Sequence, residues 1–148
     1  MIGGFDTISV VMYCPRGPAL ADTEVVLVNG WFLPGGSLTE METRKTFALD
    51  GVRGEIGFEI GPERVRKHGS RQVDGTNDTP RSLLLSVRLT RDEMDNLIAR
   101  RGRAYGIVGK TERTYHIEIR SVAELVDRPP VTDWATLGKI LVVLHEVW

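Results

Sequence analysis

Two residues on one predicted strand have side chains able to move protons or hold a metal. His116 and Glu118 are two positions apart in the alternating segment 114–120, so both point to the same face of a strand. A histidine beside a carboxylate can act as an acid–base pair. A solvated outer strand face accounts for the same pattern, and no third ligand or nucleophile accompanies the pair. We therefore keep His116 and Glu118 as a candidate acid–base pair, and the sequence predicts no metal site and no assigned catalytic residue.

Basic side chains form two short clusters that suit a polyanion such as nucleic acid. The net charge is −5 over residues 1–63, +6 over residues 64–120 and −2 over residues 121–148. Arginine forms bidentate contacts with phosphate, and a flexible basic arm can become ordered on binding nucleic acid. Cations near 100–103 are also expected at a helix end, and no nucleic-acid-binding motif is present. The polyanion-binding candidates are Arg64, Arg66, Lys67, Arg71, Arg100, Arg101 and Arg103.

The segment Ala104 to Thr111 matches the loose form of a phosphate-binding P-loop. That chemistry requires a helix directly after the loop, with its N-terminus facing the phosphate. Here the following residues 114–120 alternate as a strand does, so we predict a hairpin turn around Gly109 and Lys110. No cofactor is expected.

Cys14 is the only cysteine, so the chain forms no internal disulfide. A lone cysteine fits a reducing compartment, and we expect a cytoplasmic protein. It lies at a strand end before Pro15, away from any helix N-terminus that would activate the thiol. The sequence therefore predicts a half-buried structural cysteine.

Length and composition are ordinary for one globular domain covering residues 1–148. The N-terminus has no pattern of a secretory signal. The longest apolar run, Ile140 to Leu144, is far shorter than the roughly 20 residues that cross a membrane. We expect no membrane partner.

Alternating and apolar runs predict six to seven strands. The strand candidates are 8–13, 24–33, 43–49, 52–60, 82–89, 103–108 and 113–120. Residues 62–81 contain only two aliphatic side chains, Val65 and Val73, and we predict a long polar loop there.

Two capping boxes mark helix starts at Thr90 and Ser121, where a hydroxyl and a carboxylate satisfy free amide groups. Helices are expected near 91–101, 122–127 and 133–147, although 140–147 is β-branched enough to be a strand. The last helix has one apolar stripe, formed by Trp134, Leu137, Leu141, Leu144 and Trp148. The predicted fold is α+β, an antiparallel or mixed sheet with two to three helices mainly on one face.

Because no coherent catalytic constellation is present, the first functional hypothesis is a non-catalytic binding or assembly protein. It would act through protein–protein contacts or as a homo-oligomer, for example as a structural or accessory subunit of a bacterium or bacteriophage. The two aromatic ends, Trp134 and Trp148, could serve a partner as well as a core. The alternatives are a nucleic-acid-binding protein that uses the basic clusters, and a small hydrolase or transferase that uses His116 and Glu118.

Overall fold

The computed structural model describes residues 7–29, 32–37, 59–72, 81–100, 104–105, 115–127 and 134–148. Within these ranges no helix is long and apolar enough to cross a membrane. The strands are β1 (Thr7–Cys14), β2 (Glu24–Val28), β3 (Gly35–Ser37), β4 (Arg66–Gln72), β5 (Arg81–Arg88), β6 (Ala104–Tyr105) and β7 (Tyr115–Ser121). The helices are α1 (Arg91–Ala99), α2 (Val122–Asp127) and α3 (Trp134–Val147).

The strands form a mixed sheet in the order β4-β5-β1-β2-β7-β6, with β3 paired to the start of β1. β1 and β5 run parallel over seven residue pairs, and the remaining ladders are antiparallel. The α+β class with a mixed sheet is confirmed. The expected six to seven strands are slightly more than the five strands of five residues or longer that form the sheet, because β3 and β6 have only three and two residues.

Both faces of the sheet are covered, because the central strands are apolar on both sides. Ile8, Val10 and Met12 of β1 pack in one buried cluster with Met94 and Leu97 of α1. The alternate β1 residues pack on the other face in a second cluster that contains side chains of α2 and α3. Each fully buried aliphatic side chain contributes about 1.5–3 kcal/mol to the hydrophobic driving force. The prediction that the helices lie mainly on one face is therefore wrong.

The helix starts follow local hydrogen bonding as predicted. The Thr90 hydroxyl accepts from the Glu93 amide at 3.1 Å, and the Glu93 carboxylate accepts from the Thr90 amide at 2.8 Å. Ser121 and Glu124 form the same reciprocal pair at 3.1 and 3.2 Å. Residues 140–147 are helical, so packing of the apolar side chains overrides their β-branched character.

The apolar stripe predicted for α3 divides into two in the structure. Leu137 and Leu144 are buried against the sheet, whereas Trp134, Leu141 and Trp148 are exposed. Positions three and seven residues apart differ by about 60° and 20° around a helix, so the exposed set lies beside the buried set, at the edge of the face that contacts the sheet.

The prediction of a long loop over residues 62–81 is wrong for 66–72. These residues form β4, an edge strand that pairs antiparallel with β5. Pro62–Arg64 is a short 3-10 turn, and Gly69 adopts a φ of 85° where the register shifts between Lys67 and Ser70. An edge strand needs few aliphatic residues. The polar composition of β4 is therefore also typical of a loop, and the sequence alone does not distinguish the two.

Some predicted elements lie outside the described residues. They include the strand at 43–49, most of that at 52–60, and most of the P-loop match. The described part of that match, Ala104 and Tyr105, pairs antiparallel with Tyr115 and His116, as the predicted hairpin requires.

Candidate anion-binding site

Two arginines and a tyrosine meet at one end of the parallel strand pair. Tyr13 of β1 is the register partner of Arg88 of β5, and Arg66 of β4 lies opposite Ser86, two residues before Arg88. Paired residues share a sheet face, as do alternate residues of one strand. Tyr13, Arg66 and Arg88 therefore lie on the face that α3 covers, at the carboxyl ends of β1 and β5. Ligands of open α/β sheets bind at such ends.

The electrostatics of this end are those of an anion site. Arg66 and Arg88 are exposed, and within the described ranges neither has an ion-pair partner. Burial raises the pKa of the Tyr13 hydroxyl, while the positive charges of Arg88 and Arg66 oppose that rise. Both guanidinium groups are therefore within electrostatic reach of a hydroxyl that stays neutral and can donate a hydrogen bond. We define Arg66, Arg88 and Tyr13 as the cationic site.

A buried hydrogen-bonded relay lies next to the cationic site on the same face. His68 contacts the Ser86 hydroxyl through Nε2 at 2.6 Å and the Glu146 carboxylate through Nδ1 at 2.5 Å. Because a carboxylate only accepts, Nδ1 donates to Glu146, and in the neutral ring Nε2 accepts from Ser86. The order of serine, histidine and carboxylate resembles a hydrolytic triad. However, the His68 side chain has no exposed surface and Ser86 is buried, so the relay joins β4, β5 and α3 rather than meeting a substrate.

A second set of polar contacts on the same face extends from the relay towards the start of α3. Lys139 donates to the Ser9 hydroxyl at 3.2 Å, and Ser9 lies 3.0 Å from the Ser82 hydroxyl. The sequence analysis predicted neither the relay nor these contacts of Lys139 and Ser9. The available signal was the serine pair Ser82 and Ser86, four residues apart on one face of a strand whose interior is otherwise apolar, which indicates a polar contact within a buried face.

Arg64 has a structural role that its basic neighbours do not share. Its two terminal nitrogens donate to the two carboxylate oxygens of Glu93 at 2.7 and 2.6 Å, and one of them also donates to the Arg88 carbonyl at 2.9 Å. These hydrogen bonds from Arg64 are the largest cause, ahead of those from Thr90, that lowers the pKa of Glu93 to about 2. The guanidinium therefore already holds a carboxylate and is not a free contact for phosphate.

The other polyanion-binding candidates are dispersed. Arg66 and Lys67 are exposed on neighbouring positions of β4, where they face opposite sides of the sheet. Arg71 also belongs to β4, and Arg100 ends α1. Arg101 and Arg103 lie outside the described residues. The structure thus joins Arg66 to Arg88, which the sequence did not single out, and whether the other cations bind a polyanion stays a prediction.

His116 and Glu118 lie on β7 with the alternation that was predicted. His116 is exposed, Ile117 and Ile119 are buried, and Glu118 is half-buried. The Glu118 carboxylate is 3.8 Å from Arg120. The polar row is confirmed, and the acid–base role stays a prediction.

Cys14 is buried, in agreement with a structural role, although more deeply than predicted. Burial raises the pKa of its thiol, and the nearby Arg91 charge only partly opposes the rise. Arg91 donates to the sulfur at 3.4 Å and to Glu24 at 2.8 Å. A neutral thiol is a weak nucleophile.

A metal site would require several ligating side chains close together in space. In the part of the chain that the structure describes, no three His, Cys, Asp or Glu residues are close enough to hold a metal ion. We therefore assign no metal ligand and derive no metal-dependent step.

Comparison with known proteins identifies the fold. Neither a protein family nor a curated protein matches the sequence. The chain resembles the NUDIX domain of Shewanella oneidensis NrtR, solved with ADP ribose, with a TM-score of 0.66 and 11% identity over 100% of this chain and 91% of that one. It resembles a MutT/nudix family protein from Enterococcus faecalis with a TM-score of 0.61 and 14% identity, over 99% and 63% of the two chains.

A MutT structure from work on Aliivibrio salmonicida and Vibrio cholerae gives a TM-score of 0.55 at 14% identity, over 91% of this chain and 94% of that one. The chain spans only 39% of the Trypanosoma brucei MERS1 protein and 62% of a longer NrtR chain. At these identities the likeness shows a Nudix-type fold.

These neighbours overturn the first functional hypothesis. A non-catalytic binding or assembly protein, acting as a structural or accessory subunit, was predicted because no catalytic constellation was recognised. The structural neighbours are instead Nudix-domain proteins, MutT among them. The prediction failed because a fold of this kind is defined by strand order and helix placement, which no short motif in this sequence revealed.

Proposed function

We propose that this protein binds a nucleoside diphosphate derivative at the cationic site and hydrolyses its phosphoanhydride bond. The observation that carries the proposal is the match of the whole chain to a NUDIX domain solved with ADP ribose, combined with two exposed arginines that converge at the end of the parallel strands. A diphosphate presents two charged groups, and two guanidinium forks can each hold one of them.

The charge balance of the site supports a phosphate ligand. The described residues place no carboxylate in an ion pair with Arg66 or Arg88, so a ligand competes with none of these carboxylates for the two guanidinium groups. The buried relay of His68, Ser86 and Glu146 fixes β4 against β5, which sets the spacing of the two arginines before a ligand arrives. Such preorganisation lowers the entropic cost of binding.

Titration calorimetry with ADP-ribose, ADP and ATP tests binding. A hydrogen bond to a charged group contributes about 1.5–3 kcal/mol, so Arg66→Ala and Arg88→Ala should each weaken binding by roughly 10- to 150-fold. Lys67→Ala is the matched control, because it removes the same charge from the adjacent position of β4 on the opposite face. Affinity in this control should stay within about twofold of wild type. Equal losses in all three variants, or no binding at millimolar ligand, would refute the assignment.

Hydrolysis is tested in the same preparations by anion-exchange chromatography of the products, with Mg²⁺ and with EDTA. Mg²⁺ is included because it commonly binds substrate phosphates together with carboxylates. Release of nucleoside monophosphate from ADP-ribose by the wild type, reduced in Arg66→Ala and Arg88→Ala, supports an enzyme. Tight binding without any product would reduce the proposal to nucleotide recognition.

Nucleic-acid binding is the second candidate, favoured by the exposed cations of the edge strand β4. One structural neighbour, Shewanella oneidensis NrtR, was crystallised with a 27-mer DNA, and the present chain spans 61% of that chain. Because Arg64 is engaged by Glu93, the informative variant changes Arg66, Lys67 and Arg71 to Ala. For single strands, losing three phosphate contacts should lower the slope of log K against log salt by about two. An unchanged slope would remove this candidate.

Two further predictions from the sequence remain predictions. His116 and Glu118 remain a candidate acid–base pair, and a His116→Ala variant with wild-type hydrolysis would exclude it. A cytoplasmic location, inferred from the lone Cys14, is proposed on that chemistry alone.

A further inference from the structure

His68 lies in a β-bulge of the edge strand β4, and its side chain points towards α3. The three steps from Lys67 to Ser70 lie opposite only two steps of β5, and Gly69 adopts a φ of 85° within this irregularity. Bulges redirect side chains and are common beside functional sites. The His68 side chain has no exposed surface. An imidazole buried so completely requires hydrogen-bond partners, and β5 and α3 supply them.

The contacts of His68 fit both the neutral and the protonated ring. In the neutral ring, Nδ1 donates to the Glu146 carboxylate at 2.5 Å and Nε2 accepts from the Ser86 hydroxyl at 2.6 Å. A serine hydroxyl has one hydrogen and two acceptor lone pairs. When Nε2 takes up a proton, the Ser86 hydroxyl therefore rotates and accepts, so neither contact of the ring is lost. The proton changes the charge of the relay without changing which residues it joins.

The charged groups near His68, within the described part of the chain, come from three elements. The Glu146 carboxylate of α3 contacts the ring directly. Arg66 is two residues away on the same face of β4, and Arg88 lies on this face of the neighbouring strand β5. Lys139 precedes Glu146 by seven residues of α3, which is about 10 Å along the helix axis. The carboxylate stabilises a protonated ring, whereas the cations oppose it.

We propose that His68 is a positioning residue of the cationic site and couples ligand binding to the uptake of a proton from solvent. The inference rests on the proposed function, because the ligand is the diphosphate held by Arg66 and Arg88. A bound anion offsets the two positive charges that oppose protonation of the ring. The ligand therefore favours the protonated ring, and by linkage the protonated ring favours the ligand to the same extent. Tyr13 stays neutral and exchanges no proton in this step.

Titration calorimetry with ADP-ribose tests the coupling, because the internal diphosphate of this ligand keeps a constant charge near neutral pH. The protein is titrated in metal-free Pipes and Tris buffers at pH 7, since the two buffers differ in ionisation enthalpy and histidine changes charge in this range. The dependence of the observed enthalpy on the ionisation enthalpy of the buffer gives the protons taken up, and we expect about 0.2 to 1 per ligand. The affinity should rise by about three- to tenfold from pH 8 to pH 6.

His68→Gln separates this role from a purely structural one. Glutamine retains an amide that can contact Ser86 and takes up no proton, so proton uptake and the pH dependence of the affinity should both disappear. Glu146→Gln keeps an acceptor for Nδ1 but removes the charge that stabilises the protonated ring, so it should lower proton uptake by about twofold or more. His145→Gln is the matched control, because His145 is exposed on α3 beside Glu146 and its loss should leave proton uptake unchanged.

The outcomes distinguish this inference from the proposed function. Binding of ADP-ribose with equal affinity at pH 8 and pH 6 would overturn the coupling and leave the nucleotide site in place. Proton uptake that persists in His68→Gln, or that disappears in His145→Gln, would also overturn it. If His68→Gln does not fold or bind, Glu146→Gln decides, and unchanged proton uptake in that variant refutes the coupling. A wild type that binds no ADP-ribose would overturn the proposed function, and the coupling with it.

Discussion

Arg64→Ala should destabilise the fold while leaving ligand binding intact. Arg64 holds Glu93 through two hydrogen bonds of 2.7 and 2.6 Å and holds the Arg88 carbonyl through a third of 2.9 Å. It thereby joins the turn before β4 to the end of β5 and the start of α1. Without Arg64, Glu93 keeps its contacts with Thr90 but loses the largest cause of its low pKa.

The size of the effect follows from the pKa of Glu93. A fall from 4.5 to about 2 corresponds to about 3 kcal/mol at 1.36 kcal/mol per unit. The hydrogen bonds from Thr90 account for part of this free energy. Solvent also screens the ion pair of Arg64 and Glu93, whose side chains are 32% and 23% exposed. We therefore expect Arg64→Ala to lower the free energy of unfolding by about 1–2 kcal/mol at pH 7.

The pH dependence has a defined sign. Because the pKa of Glu93 is lower in the folded state, its stabilisation is complete above the unfolded value near 4.5 and is lost as the pH falls towards 2. Urea unfolding at several pH values between 7 and 3 should show the wild type and Arg64→Ala converging at the acid end. A double-mutant cycle with Arg64→Ala and Glu93→Gln measures the interaction energy between these two side chains. Lys67→Ala is the control and should change stability by less than about 0.5 kcal/mol.

The reasoning is refuted if Arg64→Ala unfolds with the wild-type free energy at pH 7. A loss that stays constant down to pH 3 would show that the Glu93 carboxylate is not its source. If Arg64→Ala instead abolished nucleotide binding at unchanged stability, Arg64 would belong to the cationic site and not to the scaffold.

Three further outcomes are expected. His68→Ala leaves the buried Ser86 hydroxyl without its histidine partner, so urea unfolding should show a loss of about 1–3 kcal/mol, and a smaller loss for Ser86→Ala; wild-type stability in both would mean that the relay is not formed. Because burial raises the pKa of the Cys14 thiol, iodoacetamide should alkylate it slowly at pH 8 and rapidly in urea, and rapid labelling of the native protein would contradict its burial. Gly138 lies in the interior of α3, where an added Cβ would meet no atom within 4 Å, so Gly138→Ala should raise the melting temperature by a few degrees, whereas a fall would show that this position requires glycine.

The sequence alone predicted the elements that depend on neighbouring residues. The capping boxes at Thr90 and Ser121 involve partners three residues away, so their hydrogen bonds can be recognised from spacing. The alternation of β5 and β7, and the helical stripe of α3, likewise follow from periods of two and 3.6 residues. The α+β class came from these elements together.

Tertiary structure decided how those elements combine. β4 is a strand because β5 pairs with it, and nothing within the polar residues 66–72 indicates that partner. The placement of helices on both faces depends on β1 and β5 lying at the centre of the sheet, where both of their faces are buried. A central position is a property of the strand order, which local spacing does not encode.

The candidate site was beyond sequence reasoning for the same reason. His68 meets Ser86 and Glu146 across separations of 18 and 78 residues, and Arg66 shares a sheet face with Arg88 only because β4 and β5 are neighbours in a given register. A basic residue in the sequence therefore showed only that a charge was present. Whether that charge is held by a carboxylate, as in Arg64, or has no ion-pair partner among the described residues, as in Arg66, is set by which groups the fold places around it, since electrostatic interactions depend on distance in space rather than along the chain.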